Sequence, residues 1–277
     1  MDPRAVAAWS AAGLVVLLTT GNPAYRAVAL LAALAVVLTA AGARRARRLL
    51  VAAALLGASA VAFNMVLSHI GETTLFALPD AIPVLGGPYT LEALGFGVLS
   101  GATLAAAVLL VAPISLLLEP HEVVDALPRW LTRTGGALAS ALNLVPGVAA
   151  SFTAVSEAQR LRGWRPRGPR SWAEIVVPVV LTAIEDSIQL AESMEARAFG
   201  SGPRTQWRRP RMAAGDRVAL GAAGAAAALF VLARVAGWAA DWEPYPALTW
   251  PAVHPLPAAA ALALAVPVLT WSRRSPV

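Results

Sequence analysis

LEALGFGVLSGATLAAAVLLVAPISLLL, from Leu91 to Leu118, carries one ionisable side chain, Glu92, and no other charge before Glu119. A helix needs about 20 predominantly apolar residues to cross the hydrocarbon of a bilayer, and this run is longer than that. Further apolar runs lie at roughly residues 5–20, 24–41, 49–67, 218–238 and 256–272. The first and last of them are short for a span. With 58% hydrophobic and 14% charged residues and a mean hydropathy of +0.64, the chain is more apolar than a soluble domain of its size. The expected fold is all-α: a polytopic helical membrane protein of about six spans, carrying a cytoplasmic domain of long amphipathic helices. The organisation expected is 1–118 with spans one to four, 119–217 cytoplasmic, and 218–277 with spans five and six. A charged start before a short apolar run also fits a signal peptide, but no small-x-small cleavage site follows at Thr19-Thr20-Gly21-Asn22-Pro23.

All 22 basic residues are arginine, and cysteine is absent. Disulfides, thiolate metal sites and a cysteine nucleophile are thereby excluded. Without lysine there is no Schiff-base chemistry and no Walker A loop, which needs Gly-Lys-Ser/Thr. If ATP drives this protein, another chain binds it.

Arginine placement predicts orientation. Arg44, Arg45, Arg47 and Arg48 occupy the connection after the second apolar run, whereas 68–92 holds Glu72, Asp80 and Glu92, and 239–256 holds Asp241 and Glu243, with no arginine in either. Positive loops stay cytoplasmic. Both termini are then inside, with Ser272-Arg273-Arg274 as an inner tail, and the protein is expected to be multi-pass in a prokaryotic inner (plasma) membrane. Trp9, Trp238, Trp242, Trp250 and Trp271 fall near expected span ends, as interfacial anchors do. Arg234, among apolar neighbours near the end of the fifth span, is expected to snorkel to the surface. Gly95, Gly97, Gly101, Gly221 and Gly224 suit close helix packing, within the chain or against a partner.

A net charge of +6 and a pI near 11.1 also suggest a nucleic-acid partner. Residues 119–217, however, hold 13 arginines beside 10 acidic residues, and no aromatic-interleaved recognition module accompanies them. The basic balance reads as membrane sidedness, with the lipid bilayer and its anionic headgroups as the counter-surface and no nucleic acid.

The polar stretch is periodic. Leu138, Leu142, Val145, Val148, Phe152 and Val155 recur at helical spacing, Pro146-Gly147 is placed to kink or interrupt that helix, and Gly163 to end it in a left-handed cap. A basic turn follows, Arg165-Pro166-Arg167-Gly168-Pro169-Arg170. Ser171 three residues before Glu174 predicts a capping box. Val176, Val179, Ala183, Ile184, Ile188, Ala191 and Met194 form the stripe of a helix predicted over 171–198, with Gly200 available to stop it. Each long helix closes on an arginine between small or apolar neighbours: Leu161-Arg162-Gly163 and Ala196-Arg197-Ala198. A cation in the last turn is favoured by about 0.3–1 kcal/mol at the exposed carbonyls, so a cap alone explains either arginine. Two of them on consecutive helices, in a chain with no phosphate loop, also suit docking to a partner. Glu157 and Glu195 stand nearby, either supporting that contact or lying on a solvated face.

The stretch from Tyr89 to Phe199 resembles the transmembrane T component of energy-coupling factor (ECF) transporters, the group that includes the cobalt-transport CbiQ proteins. The resemblance runs through Thr90-Leu91-Glu92 with Gly95 and Gly97, then Pro120 to Leu127, then Ala141 to Pro146. It continues through Glu157-Ala158-Gln159-Arg160-Leu161-Arg162-Gly163 and Met194-Glu195-Ala196-Arg197-Ala198. Leu161 stands where the family commonly has alanine, and Ala198 where it commonly has glycine. The resemblance implies a non-catalytic scaffold without cofactor or metal. Its two arginine-bearing helix ends would dock onto two ABC ATPase subunits, while the membrane part would hold a substrate-binding membrane S component. That component selects the cargo, so vitamins, vitamin precursors and transition-metal ions all stay open.

Two other readings fit parts of the chain. An ordinary ABC importer permease, forming the substrate path itself, has a coupling loop opening like Glu157-Ala158-Gln159 with a later glycine. A membrane metalloprotease would begin like His121-Glu122-Val123-Val124-Asp125, but the second histidine of His-Glu-x-x-His is absent, and only His69 and His254 remain elsewhere.

Overall fold

Asp2 and Asn22 each place a side-chain oxygen on the first turn of the helix that follows, accepting the N–H of Arg4 at 2.9 Å and of Ala24 at 3.0 Å. Pro3 and Pro23 open those helices, where a missing N–H costs nothing. The helices are α1 (Pro3–Leu18) and α2 (Pro23–Ala40). They are followed by α3 (Ala43–Leu67), strands β1 (Thr74–Leu78) and β2 (Gly87–Thr90), α4 (Leu91–Leu117), α5 (Pro120–Asp125), α6 (Thr132–Leu161), α7 (Ala173–Ala196), α8 (Ala214–Val235), α9 (Pro255–Ala263) and α10 (Val266–Trp271). This computed structural model describes residues 1–79, 86–125, 132–199, 201 and 212–271. Asp80, Leu127, Gly200 and Ser272-Arg273-Arg274, used in the sequence reading, lie outside the described residues.

The chain divides into two compact units, Met1–Leu118 with Pro210–Val277, and Glu119–Arg209. In the first, α2, α3, α4 and α8 are long and apolar enough to cross a membrane, while α1 and the α9–α10 stretch are shorter apolar helices. The fold is that of a polytopic helical membrane protein. Its core is built on helical periodicity: Ala29, Ala33 and Val36 of α2, Leu109 and Leu110 of α4, and Ala219, Ala223, Ala226 and Phe230 of α8 belong to one buried cluster, in which α2 packs on α4 and α8 packs on α1. Alanine and glycine dominate because, between helices in lipid, close backbone approach replaces the hydrophobic drive. Gly101 of α4 lies against Gly57 of α3, where an added Cβ would sit 2.5 Å from the Gly57 carbonyl oxygen, and Gly97 lies against Val61. Gly221 and Gly224 meet nothing within 4 Å.

Two features depart from the sequence reading here. Trp9 and Trp271 are not interfacial anchors but core: both are almost fully buried, edge to face at 6.0 Å, and the Trp9 indole N–H donates to the Leu264 carbonyl at 2.8 Å. That carbonyl lies where α9 stops, so the break in the last apolar stretch supplies the acceptor a buried indole requires. The second departure is the antiparallel pair β1–β2 in the connection after α3, with Phe76 stacked on Tyr89 at 4.6 Å. Thr90 then caps α4 through the Ala93 N–H, and the buried Glu92 carboxylate accepts the Thr73 N–H.

Arg234 does more than reach a surface. It pairs with Asp241 and donates to the Ala239 carbonyl at 2.7 Å, and Asp241 also accepts the Gly21 N–H at 2.6 Å. The end of α8 is thus tied to the α1–α2 turn. Arg26, whose isolated position at the start of an apolar run carries no pairing signal in the sequence, donates to the Thr20 carbonyl at 2.8 Å and to Thr103 Oγ1 at 3.0 Å, joining α2 to α4.

Candidate coupling site

α6 runs unbroken through Pro146 to Leu161. Beyond it the Gly163 N–H donates to the Arg160 carbonyl at 3.0 Å and the Trp164 N–H to the Gln159 carbonyl at 2.9 Å. Gly163 has φ 85°. These are the two backbone bonds of a Schellman motif, with Arg162 as C-cap and Gly163 in the left-handed position.

α7 ends the same way. The Ala198 N–H donates to the Glu195 carbonyl at 2.8 Å and the Phe199 N–H to the Met194 carbonyl at 2.9 Å, and Ala198 has φ 55°. Arg197 is the C-cap. The stop is therefore Ala198 rather than Gly200, because the 6→1 and 5→2 bonds close on an alanine forced into the left-handed region. The two tripeptides share one backbone geometry, and Arg162 and Arg197 hold equivalent places in it.

The backbone takes the Gln159 and Arg160 carbonyls at one end and the Met194 and Glu195 carbonyls at the other, so neither arginine side chain is needed for those four. Both are exposed, and no ion pair joins either to another described residue. Leu161, Gly163, Ala196 and Ala198 are exposed beside them. Glu157 and Glu195 are likewise exposed and make no ion pair with the arginines.

The start of α7 is also corrected. Ser171 does not form a capping box with Glu174: it lies in a 3-10 turn, Pro169–Trp172, where its hydroxyl donates to the Gly168 carbonyl and accepts the Arg167 N–H. The helix begins at Ala173. An aromatic cluster holds the turn. The Trp164 indole N–H donates to the Ser171 carbonyl at 3.0 Å, its ring meets Trp172 edge to face at 5.5 Å, and Trp172 stacks on Phe152 of α6 at 6.3 Å. Phe152 was read from periodicity, but the role of Trp164 and Trp172 was not, because aromatics in a Pro/Arg/Gly turn carry no periodic signal.

Only Ile175 and Val179 of α7 are buried. Ile184 and Ile188 of the expected stripe, with Val177, Val180 and Leu181, are about half exposed. α7 therefore packs near its start and leaves an apolar surface along its length. Its 24 residues span about 36 Å, which sets Arg197 at the far end of α7 from the turn that follows Arg162.

His121 and Glu122 sit in α5, where the His121 imidazole lies 3.3 Å from Glu119 and Glu122 accepts the Glu119 N–H. Among the described residues no group of three or more His, Cys, Asp or Glu is placed to hold a metal ion.

One unit is thus a bundle of apolar helices of a polytopic membrane protein, and the other carries α5, α6 and α7 with the two arginine ends. The family model described as cobalt transport protein (CbiQ) matches residues 1–207, and the chain belongs to that family. No curated protein matches it.

Proposed function

We propose that this chain is the T component of an ECF-type ABC importer, a scaffold that couples ATP hydrolysis by two cytoplasmic ATPase subunits to movement of a substrate-binding S component. The observation that carries the reading is the repeated cap: Arg162 and Arg197 occupy equivalent positions on two exposed helix ends, and at each end the backbone takes two terminal carbonyls without the arginine side chain. A guanidinium presents a planar fork suited to a carboxylate. The place of Arg197 at the far end of α7 from the turn that follows Arg162 suits two subunits rather than two contacts in one groove. Two attachments on one scaffold also raise effective concentration, so modest contacts sum to a stable complex.

The uncovered apolar face of α7 supports a second, hydrophobic partner, the role we assign to the S component. Cargo selection then rests with that partner. Among vitamins, vitamin precursors and transition-metal ions, the family's description favours a cobalt-related cargo. In this reading residues 119–217 are cytoplasmic, both termini are inside, and the chain has no catalytic residue.

The experiment is copurification and transport-linked ATP hydrolysis for Arg162→Ala, Arg197→Ala, the double variant, and Arg165→Ala and Arg167→Ala as controls. Each single variant should weaken assembly, because losing a charge-assisted interface contact costs about 2–5 kcal/mol, roughly 30-fold to several thousand-fold in affinity. The double variant should lose the ATPases with its membrane unit folded. Retention of both ATPases and of uptake by the double variant would refute the assignment. Uptake sustained without any S component would instead favour a permease that forms the path itself.

A further inference from the structure

The two helix ends share a cap and differ in what stands beside the arginine. At the first end the residue after the left-handed position, Trp164, is turned back onto the chain by its bond to Ser171 and its contact with Trp172. Outward there remains the residue before the arginine, Leu161, which is 91% exposed. At the second end the residue before the arginine is the small Ala196, and the aromatic after the left-handed position, Phe199, is 57% exposed. Phe199 makes no ring contact with another described aromatic residue. Each end thus offers one guanidinium and one large apolar group, placed before the arginine at one end and after it at the other.

We propose that Leu161 and Phe199 are the apolar anchors of the two docking ends. Each inserts into a pocket of an ATPase subunit beside the acidic group that takes the arginine. The pockets differ: an aliphatic one on the helix side of Arg162, and one accepting an aromatic ring beyond Arg197. The inference rests on the docking reading above and adds that the two ends are not interchangeable.

The charge around the ends selects a protein as the occupant. Leu161 is flanked by Arg160, Arg162, Arg165 and Arg167, a setting that an anionic membrane surface would also accept. Arg197 instead follows Glu192 and Glu195, which such a surface repels. One class of partner meets both ends only if it brings its own shaped pockets. Arginine is enriched among interface hot spots, which fits Arg162 and Arg197, and large aromatic groups such as Phe199 are enriched at interface cores, whereas Leu161 is proposed on its exposure beside Arg162.

The test uses the full chain assembled with its S component in nanodiscs, titrated with its ATPase subunits. Leu161→Ala and Phe199→Ala should each weaken ATPase binding roughly 10- to 30-fold with both arginines in place. Both positions are exposed, so the variants should melt like the parent, which a thermal scan checks. Adding Ala196→Leu to Phe199→Ala should not restore binding, and restoration would overturn the non-equivalence of the ends. If the arginine variants lose the ATPases while Leu161→Ala and Phe199→Ala bind like the parent, the anchors are refuted and the docking reading stands. If the arginine variants also bind like the parent, the docking reading itself fails. Loss of binding to phosphatidylglycerol vesicles by Leu161→Ala, with ATPase affinity unchanged, assigns that leucine to the membrane and also overturns the proposal.

Discussion

Gly163 and Ala198 occupy the same left-handed position at the ends of α6 and α7, with φ 85° and 55°. Glycine adopts that region freely, whereas an L-residue with a Cβ pays about 1–2 kcal/mol. Ala198→Gly should therefore stabilise the end of α7 by about 1 kcal/mol, and Gly163→Ala should destabilise the end of α6 by a similar amount. Hydrogen exchange at the Phe199 and Trp164 amides, which close the two motifs, reads both changes locally. Equal protection in Ala198→Gly and the parent would show that the backbone carries no strain there.

The same pair shows what the sequence could and could not disclose. A glycine after a periodic run marks a helix stop, so Gly163 was legible. Alanine is the best helix former, so nothing in the local sequence marks Ala198 as the residue that leaves the helix, and the eye moves on to Gly200. The apolar runs were legible because spanning a bilayer demands length and hydropathy together. The fate of Trp9 and Trp271 was not: interfacial and core indoles share a sequence signature, and what separates them is burial against one another, with the Leu264 carbonyl as acceptor for Trp9. Ser171 and Glu174 have capping-box spacing, but Trp164 claims the Ser171 carbonyl and the hydroxyl turns to Gly168, so the helix starts two residues later. The arginine pattern was visible as a repeat, while its likeness in backbone geometry appears only through hydrogen bonds.

α3 packs chiefly on α4, and Gly57 and Gly101 face one another across that contact, where a Cβ on Gly101 would fall 2.5 Å from the Gly57 carbonyl oxygen. A methyl group on Gly101 would press on backbone rather than on a side chain able to move. Gly101→Ala should cost about 1–3 kcal/mol. Gly221→Ala, with nothing within 4 Å, should be neutral or slightly stabilising in the detergent-solubilised chain. Thermal melts of the two variants side by side decide this, and a Gly101→Ala protein as stable as the parent would contradict the packing.

Trp164 holds the turn between the two long helices through its bond to the Ser171 carbonyl and its contact with Trp172, which in turn stacks on Phe152 of α6. Trp164→Ala should destabilise the turn between α6 and α7 by about 2 kcal/mol, and Trp164→Phe by roughly half of that, since the ring contact survives and the indole bond does not. Limited proteolysis within residues 162–172 measures the opening. Cleavage should rise in the order parent, Trp164→Phe, Trp164→Ala.

Asp241 is held below the ordinary carboxylate range, first by the Gly21 N–H that it accepts and then by the Arg234 and Arg26 charges, against an opposing effect of burial. A depressed folded pKa means that the carboxylate stabilises the fold fully above its ordinary value of 3.8 and loses that contribution as the pH falls through the lower, folded value. The margin by which the parent out-melts Asp241→Asn should thus be constant near neutrality and shrink below pH 3.8. A margin that grew on acidification would mean that the carboxylate is not the stabilising form.

Orientation is open to direct labelling, because the chain has no cysteine. Arg45, exposed at the start of α3, belongs to an arginine-rich connection, whereas Trp250, 97% exposed, belongs to a connection that holds Asp241 and Glu243 and no arginine. Lys and Arg in short connections near span ends determine which side stays inside, and acidic residues contribute little. A cysteine replacing Trp250 should therefore react with an impermeant thiol reagent applied to intact cells. Cysteines replacing Arg45 or Arg162 should react only after lysis. Arg162 matters most of the three, since a docking end for ATP-hydrolysing subunits must face the nucleotide pool. Labelling of Arg162→Cys from outside intact cells would place both arginine ends on the wrong side of the membrane and end the coupling assignment, whatever the mutants did to assembly in detergent.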